Sequence, residues 1–394
     1  ALAGNAALLT HAHGRVVPLL LVVTRRPAPI RAFLLGWLTG SVFFYSSCYW
    51  LTYSMIHYGG LPAPIAYLLL VPGASVVGLF PGLFALIVSV LVRRWGYRGL
   101  AAAPFTWAAC EWFRLEISGQ LWNALGYSQA YHSFLIHSAS WGGVYAISFL
   151  ITTVNVAVAL PFLIKGWQTL VVSISILLVV ALVIGTSYSQ TLRTLPSWGI
   201  GFVKVVAVQP NVPMTFVKSN AEMQELLDRH LSMSTSALQS LNNDSLPRLV
   251  IWPESPMNFT YGSDRTLQNV IGKFARENRT SVLLNSLERA PGDGGYNSAV
   301  LINEEGRQIA QYDKIRLMPF GEYVPLPQWL GGSLISGIVG DFTPGSRYTL
   351  MPVANHQSGV FICIESAYPS IARMLTKEGA GVLINISNDG YLGP

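Results

Sequence analysis

The chain has 394 residues and a formal net charge of +6, but only 11% of its residues are charged and 51% are hydrophobic. So few charges are unusual for a soluble protein, and the length exceeds one ordinary core. Residues 1–200 hold ten Lys and Arg and two Asp and Glu, whereas residues 201–394 hold fifteen and seventeen. We therefore expect an apolar domain over residues 1–195 and a globular domain over residues 196–394.

The basic residues and the cysteines exclude further classes of protein. In the first half the basic residues lie between apolar runs, which indicates membrane topology signals rather than a nucleic-acid-binding patch. Cys48, Cys110 and Cys363 have neither the pairing of a disulfide framework nor the spacing of a zinc site. We expect no nucleic-acid partner, no metal and no cofactor.

Long apolar runs in residues 1–195 predict a polytopic α-helical membrane domain. No charged residue occurs between Arg31 and Arg93, and the turn-forming stretch 59–64 divides this run into two pieces. Each piece exceeds the roughly 20 residues that span a bilayer. Further spans are predicted near 99–117, 134–164 and 168–190, with a partial one before Thr24. The total is five to six spans.

The basic residues also predict the orientation of these spans. They occur in alternate loops, at Arg25, Arg26 and Arg31, at Arg93, Arg94 and Arg98, and at Lys165. Loops 57–64 and 118–133 carry no Lys or Arg. Because Lys and Arg concentrate on the cytoplasmic side, the last span should end near Tyr188 on the opposite side. In a bacterium, residues after about 196 would then lie on the periplasmic side of the inner membrane.

From Gly201 onward, short β-branched runs alternate with helical stretches. Strands are predicted at 203–208, 249–252, 281–287, 298–302, 308–312, 360–364 and 381–386, and helices near 219–241 and 264–278. This alternation favours an α/β layered domain.

Reactive side chains follow several of these strands, where α/β domains usually build active sites. Glu254 follows one strand, Lys314 and Glu322 follow another, and Cys363 and Glu365 lie in a third segment. Taken singly, a glutamate at such a place is more often a turn or cap residue, and a lysine is more often a solvated charge. A lone cysteine on an apolar strand is more often a buried core thiol.

Together they could carry acyl chemistry. A thiol with a pKa near 8.5 needs a carboxylate to take its proton during attack on a carbonyl. An ammonium and a backbone N–H can stabilise the resulting oxyanion. Glu254, Lys314 and the N–H of Ile364 could play these parts around Cys363.

The combined motifs resemble the nitrilase superfamily and, within it, the apolipoprotein N-acyltransferase family. The similar stretches in the first half are Gly59–Pro62, Glu111–Arg114, Trp122 and Leu125–Gln129. In the second half they are 208–213 (Val-Gln-Pro-Asn-Val-Pro), 252–255 (Trp-Pro-Glu-Ser) and Lys314 with 319–325 (Pro-Phe-Gly-Glu-Tyr-Val-Pro). The last is the most specific match, and the resemblance covers nearly the whole chain.

The resemblance implies that the membrane domain is followed along the chain by an α-β-β-α sandwich of nitrilase type. It also implies that Glu254 is the base, that Lys314 stabilises the tetrahedral intermediate and that Cys363 is the acylated nucleophile. Glu322 would be an auxiliary active-site carboxylate, and Glu365 would support the nucleophile.

The implied function is transfer of a fatty acyl chain from a phospholipid, through a cysteine thioester, to an N-terminal amine. The acceptor would be the diacylglyceryl-modified cysteine of a lipoprotein. A membrane-anchored nitrilase or amidase that hydrolyses a C–N bond is the alternative, and a non-catalytic scaffold or transporter is a second one.

Two features depart from the family pattern. Ile364 occupies the position after the nucleophile, where the family commonly has tyrosine. The chain also ends at residues 387–394, inside what resembles the family's Ser-Asn-Asp turn. We therefore expect the C-terminal strands and a closing membrane span to be missing.

Overall fold

The computed structural model describes residues 16–25, 28–57, 59–119, 121–194, 202–211, 219–241, 245–254, 259–292, 294–319, 321–323 and 342–393. The chain divides into two compact units. The first comprises Ala1–Trp198 with Leu392–Pro394, and the second comprises Gly199–Tyr391.

The first unit is helical. Its helices are α1 (Val17–Thr24), α2 (Pro29–Ser47), α3 (Leu51–His57), α4 (Ala63–Trp95), α5 (Ala103–Ser118), α6 (Ser133–Ile136), α7 (Ala139–Leu163) and α8 (Trp167–Thr194). Short 3₁₀ segments lie at Gly96–Ala102 and Leu125–Gln129. Helices α1, α2, α4 and α5 have a proline in their first turn. Proline is tolerated there because N–H groups of the first turn form no hydrogen bond inside the helix.

Within the described residues, three helical stretches are long and apolar enough to cross a membrane. They are Ala63–Ser118, Ala139–Leu163 and Trp167–Arg193. The first combines α4 and α5, which the sequence pattern treats as two spans. The charge-free piece before residue 59 is not one helix, because α2 ends at Ser47 and the 7-residue α3 begins at Leu51. The count of five to six spans stays a prediction.

Helices α2 and α4 pack through small residues. A Cβ added to Gly36 would lie 2.6 Å from the carbonyl oxygen of Pro81 and 2.7 Å from the Cβ of Ala85. Gly40 and Gly78 approach each other in the same way, so backbone meets backbone. In lipid, which is as apolar as a leucine side chain, such close packing is a main source of helix association.

The second unit contains both strands and helices. Its strands are β1 (Lys204–Ala207), β2 (Arg248–Ile251), β3 (Ser281–Arg289), β4 (Gly295–Ile302), β5 (Gln308–Asp313), β6 (Leu350–Val353), β7 (His356–Ile362) and β8 (Val382–Ile386). Its helices are α9 (Asn220–Ser240), α10 (Arg265–Asn278) and α11 (Pro369–Lys377).

These strands form two sheets. The five-stranded sheet has the order β1-β2-β3-β4-β5, with the first three strands parallel and the last two antiparallel to their neighbours. The three-stranded sheet has the order β6-β7-β8, and β7 runs antiparallel to β6 and parallel to β8.

Alternate residues of the larger sheet face opposite layers, as the two-residue period of a strand requires. Side chains such as Val250, Val282 and Val300 pack with those of α9 and α10. Their neighbours pack with the smaller sheet, forming a cluster that includes Leu249, Leu283, Leu301, Met351, Val360 and Ile362. Helix α11 lies on the other face of the smaller sheet, where Leu375 contacts Gly359. The unit is an α-β-β-α sandwich, which confirms the predicted fold class.

The structure differs from the sequence-based expectation in three places. Strand β6 and helix α11 were not predicted, and β6 contains a proline that weakens the strand signal. The strand predicted at 360–364 ends at Ile362, although its apolar residues continue. At Cys363 the chain leaves the sheet with a φ of 50° and enters a 3₁₀ turn, Cys363–Ala367.

We predict that Gly36→Leu destabilises the first unit because its side chain would meet the α4 backbone. Overpacking of this kind costs about 1–3 kcal/mol. Thermal unfolding of the detergent-solubilised chain should show a lower midpoint for this variant. Gly73→Leu is the matched control, since a Cβ at Gly73 meets nothing within 4 Å. Equal midpoints for the two variants would contradict this packing.

Candidate active site

Strand direction brings two of the candidate residues to one edge of the larger sheet. Strand β5 runs in the same direction as β2, because two antiparallel pairings and one parallel pairing separate them. Glu254 comes three residues after β2, and Lys314 directly follows β5. Cys363 directly follows β7 in the facing sheet. Each therefore lies at the C-terminal end of a strand.

Lys314 is enclosed by two carboxylates. Its Nζ lies 3.2 Å from Glu254 Oε1 and 2.9 Å from Glu322 Oε1. The lysine is 1% exposed. Burial alone would lower the pKa of Lys314, but the charges of Glu254 and Glu322 outweigh it and raise that pKa above the ordinary value. Lys314 is therefore an ammonium ion at neutral pH.

Backbone contacts fix the base of this lysine. Lys314 N–H donates to the carbonyl of Asn297 in β4, and its own carbonyl accepts from Gly345 N–H, each at 2.8 Å. A Cβ at Gly345 would collide with the carbonyl oxygen of Asp313. Glycine at 345 therefore allows the close approach that holds the lysine backbone.

Asn297 is a component of the cluster that the sequence analysis did not identify. Its Nδ2 donates to Glu254 Oε1 at 3.0 Å and to Glu322 Oε1 at 2.6 Å. Asn285 Nδ2 in turn donates to Asn297 Oδ1 at 2.7 Å and so orients the amide. The available signal was one asparagine in the buried stretch of each of the two paired strands β3 and β4.

Glu322 is fixed from three sides. Besides Lys314 and Asn297, the backbone N–H of Met318 donates to Glu322 Oε2 at 2.7 Å. Both of its carboxylate oxygens are thus engaged. Glu254 differs, because Lys314 and Asn297 both donate to its Oε1 and its negative charge also acts on the Cys363 thiol.

Cys363 is a half-buried thiol in a strained turn. Its left-handed backbone is uncommon for a residue with a Cβ and costs of order 1–3 kcal/mol. Burial, together with the negative charge of Glu254, raises the pKa of Cys363 to about 12, although the Lys314 ammonium opposes this. At neutral pH the Cys363 side chain is therefore a neutral thiol close to a carboxylate.

Glu365 lies behind the cluster rather than in it. It is 1% exposed and accepts hydrogen bonds from the Tyr312 hydroxyl at 2.8 Å and from the N–H groups of Ile315, Arg316 and Ile362 at 2.8, 3.0 and 2.8 Å. Burial raises the pKa of Glu365, although these hydrogen bonds oppose the shift. This carboxylate joins the segment after Lys314 to the turn that carries Cys363.

The arrangement can carry out nucleophilic acyl chemistry. The structure brings together Glu254, Lys314, Glu322 and Cys363, and it places Glu365 in their support. A neutral thiol, a neighbouring carboxylate and a fixed ammonium are a nucleophile, a base and an electrostatic stabiliser. Among the described residues, no group of His, Cys, Asp and Glu side chains could hold a metal ion.

Family comparisons match both units. The model of the apolipoprotein N-acyltransferase N-terminal domain matches residues 8–157, and that of the carbon-nitrogen hydrolases matches residues 204–394. The apolipoprotein N-acyltransferase of Geobacter metallireducens is 32% identical in an alignment 390 positions long, which covers 95% of this chain and 72% of that protein. The enzyme of the same name from Brucella melitensis is 28% identical, over 93% of this chain and 70% of its own length.

Solved structures match less extensively. A carbon-nitrogen hydrolase from Helicobacter pylori G27 is 16% identical and covers 48% of this chain and 59% of its own, with a TM-score of 0.33.

We predict that Cys363 alkylates slowly at neutral pH and that its rate is still rising at pH values where an ordinary thiol, with a pKa near 8.5, is already ionised. Glu254→Gln should lower the apparent pKa of Cys363, because it removes the negative charge that disfavours the thiolate in the unchanged chain. Mass spectrometry of the Cys363 peptide after iodoacetamide treatment at graded pH measures the alkylation rate, and the dependence of that rate on pH gives the apparent pKa. Glu277→Gln, at an exposed carboxylate, is the control. A midpoint near 8.5 in the unchanged chain would contradict the site electrostatics.

Proposed function

Since the chain belongs to the apolipoprotein N-acyltransferase family, we propose that Cys363, Glu254 and Lys314 carry the acyl transfer by which it acylates lipoproteins. The observation that carries this assignment is the contact of the buried Lys314 ammonium with Glu254, whose negative charge also raises the pKa of the Cys363 thiol. The acyl donor is a phospholipid, and the acceptor is the N-terminal amine of a diacylglyceryl-cysteine lipoprotein.

In the first half-reaction, Cys363 Sγ attacks the carbonyl carbon of a phospholipid ester. Glu254 takes the thiol proton as the S–C bond forms, because a thiol with so high a pKa supplies almost no thiolate by itself. The tetrahedral intermediate then collapses, the ester C–O bond breaks and the departing alkoxide takes the proton from Glu254. The products are a Cys363 thioester and a lysophospholipid.

The charge that develops on the carbonyl oxygen needs fixed donors. Two of the three Lys314 N–H groups are directed at the described carboxylates, which leaves one for the oxyanion. The backbone N–H of Ile364 lies in the first turn of a 3₁₀ segment, where N–H groups have no partner inside the helix. Removing one such donor typically costs about 10²–10³ in rate.

In the second half-reaction, the amine of the acceptor attacks the thioester. Glu254 takes a proton from the attacking nitrogen, the C–S bond breaks and Cys363 regains the proton from Glu254. The product is an amide, and the resting thiol is restored. Glu322 takes no proton in this scheme, since both of its oxygens are held by Lys314, Asn297 and Met318.

We predict that Cys363→Ala and Glu254→Gln abolish the thioester that forms when the purified protein is incubated with phospholipid. The first removes the nucleophile, and the second removes a base that contributes about 10²–10⁴-fold. Lys314→Met should behave similarly, whereas Glu322→Gln should retain some acylation with damaged turnover. Mass spectrometry of a hydroxylamine-sensitive adduct on the Cys363 peptide is the measurement.

The control for this experiment is Glu277→Gln, which changes an exposed carboxylate and should leave the adduct intact. An adduct equal to wild type in Glu254→Gln would refute the base assignment. Rapid loss of the adduct in water without any acceptor amine would instead favour the hydrolytic nitrilase or amidase function.

The chain is a membrane protein, and we infer that it crosses the bacterial inner membrane several times with its second unit on the periplasmic side. The alternation of basic and uncharged loops supports this orientation, because Lys and Arg concentrate in cytoplasmic loops. Both proposed substrates carry acyl chains, so a catalytic unit attached to a membrane platform would meet them at the bilayer surface.

We predict that Ala63→Cys and Tyr131→Cys react with a membrane-impermeant thiol reagent in intact cells, whereas Tyr97→Cys does not. All three side chains are exposed in the structure, so sidedness and not burial decides the outcome. Cys363→Ala is the background, since Cys48 and Cys110 are buried. Labelling of Tyr97→Cys alone would invert the proposed orientation.

A further inference from the structure

A cavity of about 290 Å³ lies within the first unit and takes no part in the proposed mechanism. Helices α1, α2, α4 and α5 and the segment 123–128 surround it. Its walls are largely apolar and include Leu19, Phe43, Phe80 and Phe84, but Glu111 and Arg114 also line it. Ligand sites typically measure about 300–1,000 Å³, with apolar walls and a few convergent polar groups. The cavity is suited to part of an amphiphile.

Arg114 is buried in this cavity without sufficient partners. It is 3% exposed, and within the described part of the chain its Nε and Nη2 atoms have no hydrogen-bond partner. The guanidinium carbon lies 4.9 Å from the centre of the Phe44 ring, which fixes the orientation of the group. A buried ionised group in apolar surroundings is costly unless it is hydrogen-bonded, so these two N–H groups require an acceptor.

The identity of the two unpartnered nitrogens indicates the shape of that acceptor. Nε–H and Nη2–H form one edge of the planar guanidinium and point in the same direction. This edge donates two parallel hydrogen bonds to a pair of oxygens on one atom, as in a phosphate or a carboxylate.

Glu111 contributes the complementary group one helical turn earlier. Its Oε1 accepts from Trp107 Nε1 at 2.9 Å and from the N–H of Leu125 at 2.7 Å, which ties the segment after α5 to that helix. Its Oε2 is buried with no partner among the described residues. Since neither Oε2 nor the Arg114 edge has a partner, these groups do not bond to each other. An unpaired acceptor and an unpaired bidentate donor thus line one cavity.

We propose that this cavity binds a membrane phospholipid, with the phosphate on the Nε–Nη2 edge of Arg114 and a headgroup N–H or O–H on Glu111 Oε2. Part of an acyl chain would lie among the aromatic side chains. Inorganic phosphate, which keeps an O–H at neutral pH, reaches both groups but leaves the apolar volume of the cavity unfilled. A phospholipid satisfies both and also fills the apolar volume. The site lies wholly in the first unit and does not require the proposed chemistry at Cys363.

The test measures lipid retained by the detergent-solubilised full chain. Each variant is made in the Cys363→Ala background, so that no acyl transfer consumes the lipid, and is incubated with phosphatidylethanolamine before native mass spectrometry. Arg114→Gln should retain at least about 10-fold less lipid, because it removes charge-assisted hydrogen bonds. Arg114→Lys should also lose retention, since a point charge cannot replace the bidentate edge. Arg94→Gln removes an exposed charge outside the cavity and should retain lipid normally.

Further measurements distinguish a phospholipid from free phosphate as the ligand that binds Arg114. Phosphatidylcholine, whose headgroup has no N–H or O–H donor, should be retained less than phosphatidylethanolamine. Millimolar inorganic phosphate should not displace the lipid, and displacement would assign the site to free phosphate and overturn the proposal. Equal retention by the starting protein and a folded Arg114→Lys variant would also overturn it. Thermal unfolding shows whether each variant is folded. If Arg114→Gln does not fold, the comparison of Arg114→Lys with the starting protein still tests the proposal.

Discussion

The catalytic unit depends on one buried ammonium ion. Lys314 is almost fully enclosed, so its charge is tolerable only because Glu254 and Glu322 lie within 3.2 and 2.9 Å. Removing one partner of a buried ion pair typically lowers the free energy of unfolding by about 3–5 kcal/mol, because the remaining charge is left buried and uncompensated. With two carboxylates for one ammonium, the cluster has a net negative charge. Burial and the negative charge of Glu254 together raise the pKa of the Cys363 thiol, which is why our proposal assigns its proton to Glu254 during attack.

A third carboxylate, that of Glu365, connects segments that the first two do not reach. Glu365 accepts hydrogen bonds from both the segment after Lys314 and the last residue of β7, so one side chain connects the two sheets at the site. These bonds hold the turn in which Cys363 adopts its strained, left-handed backbone. The backbone of Cys363 is therefore held in this turn by tertiary contacts rather than by local preference, because the surrounding apolar sequence favours continuation of the strand.

The two units treat buried charge differently. In the sandwich, Lys314 and the carboxylates of Glu322 and Glu365 find protein partners, and the network is closed. In the helical unit, Arg114 and Glu111 each keep a buried polar atom without a described partner, although the carboxylate also anchors Leu125. Closed networks stabilise and position side chains, whereas an open pair beside a cavity is available to a guest molecule.

Sequence patterns predicted the apolar and globular halves, an α/β layered second half and the candidate residues at strand ends, and the motif resemblance added the family and the α-β-β-α sandwich. Hydropathy, two-residue periodicity and short motifs are local properties, so they can be read without coordinates. Tertiary structure decided which residues meet. Asn297 joins Glu254 across 43 positions, and Tyr312 joins Glu365 across 53. The end of β7 at Ile362 and the cavity beside Arg114 likewise depend on the packing of distant segments, which no local pattern encodes.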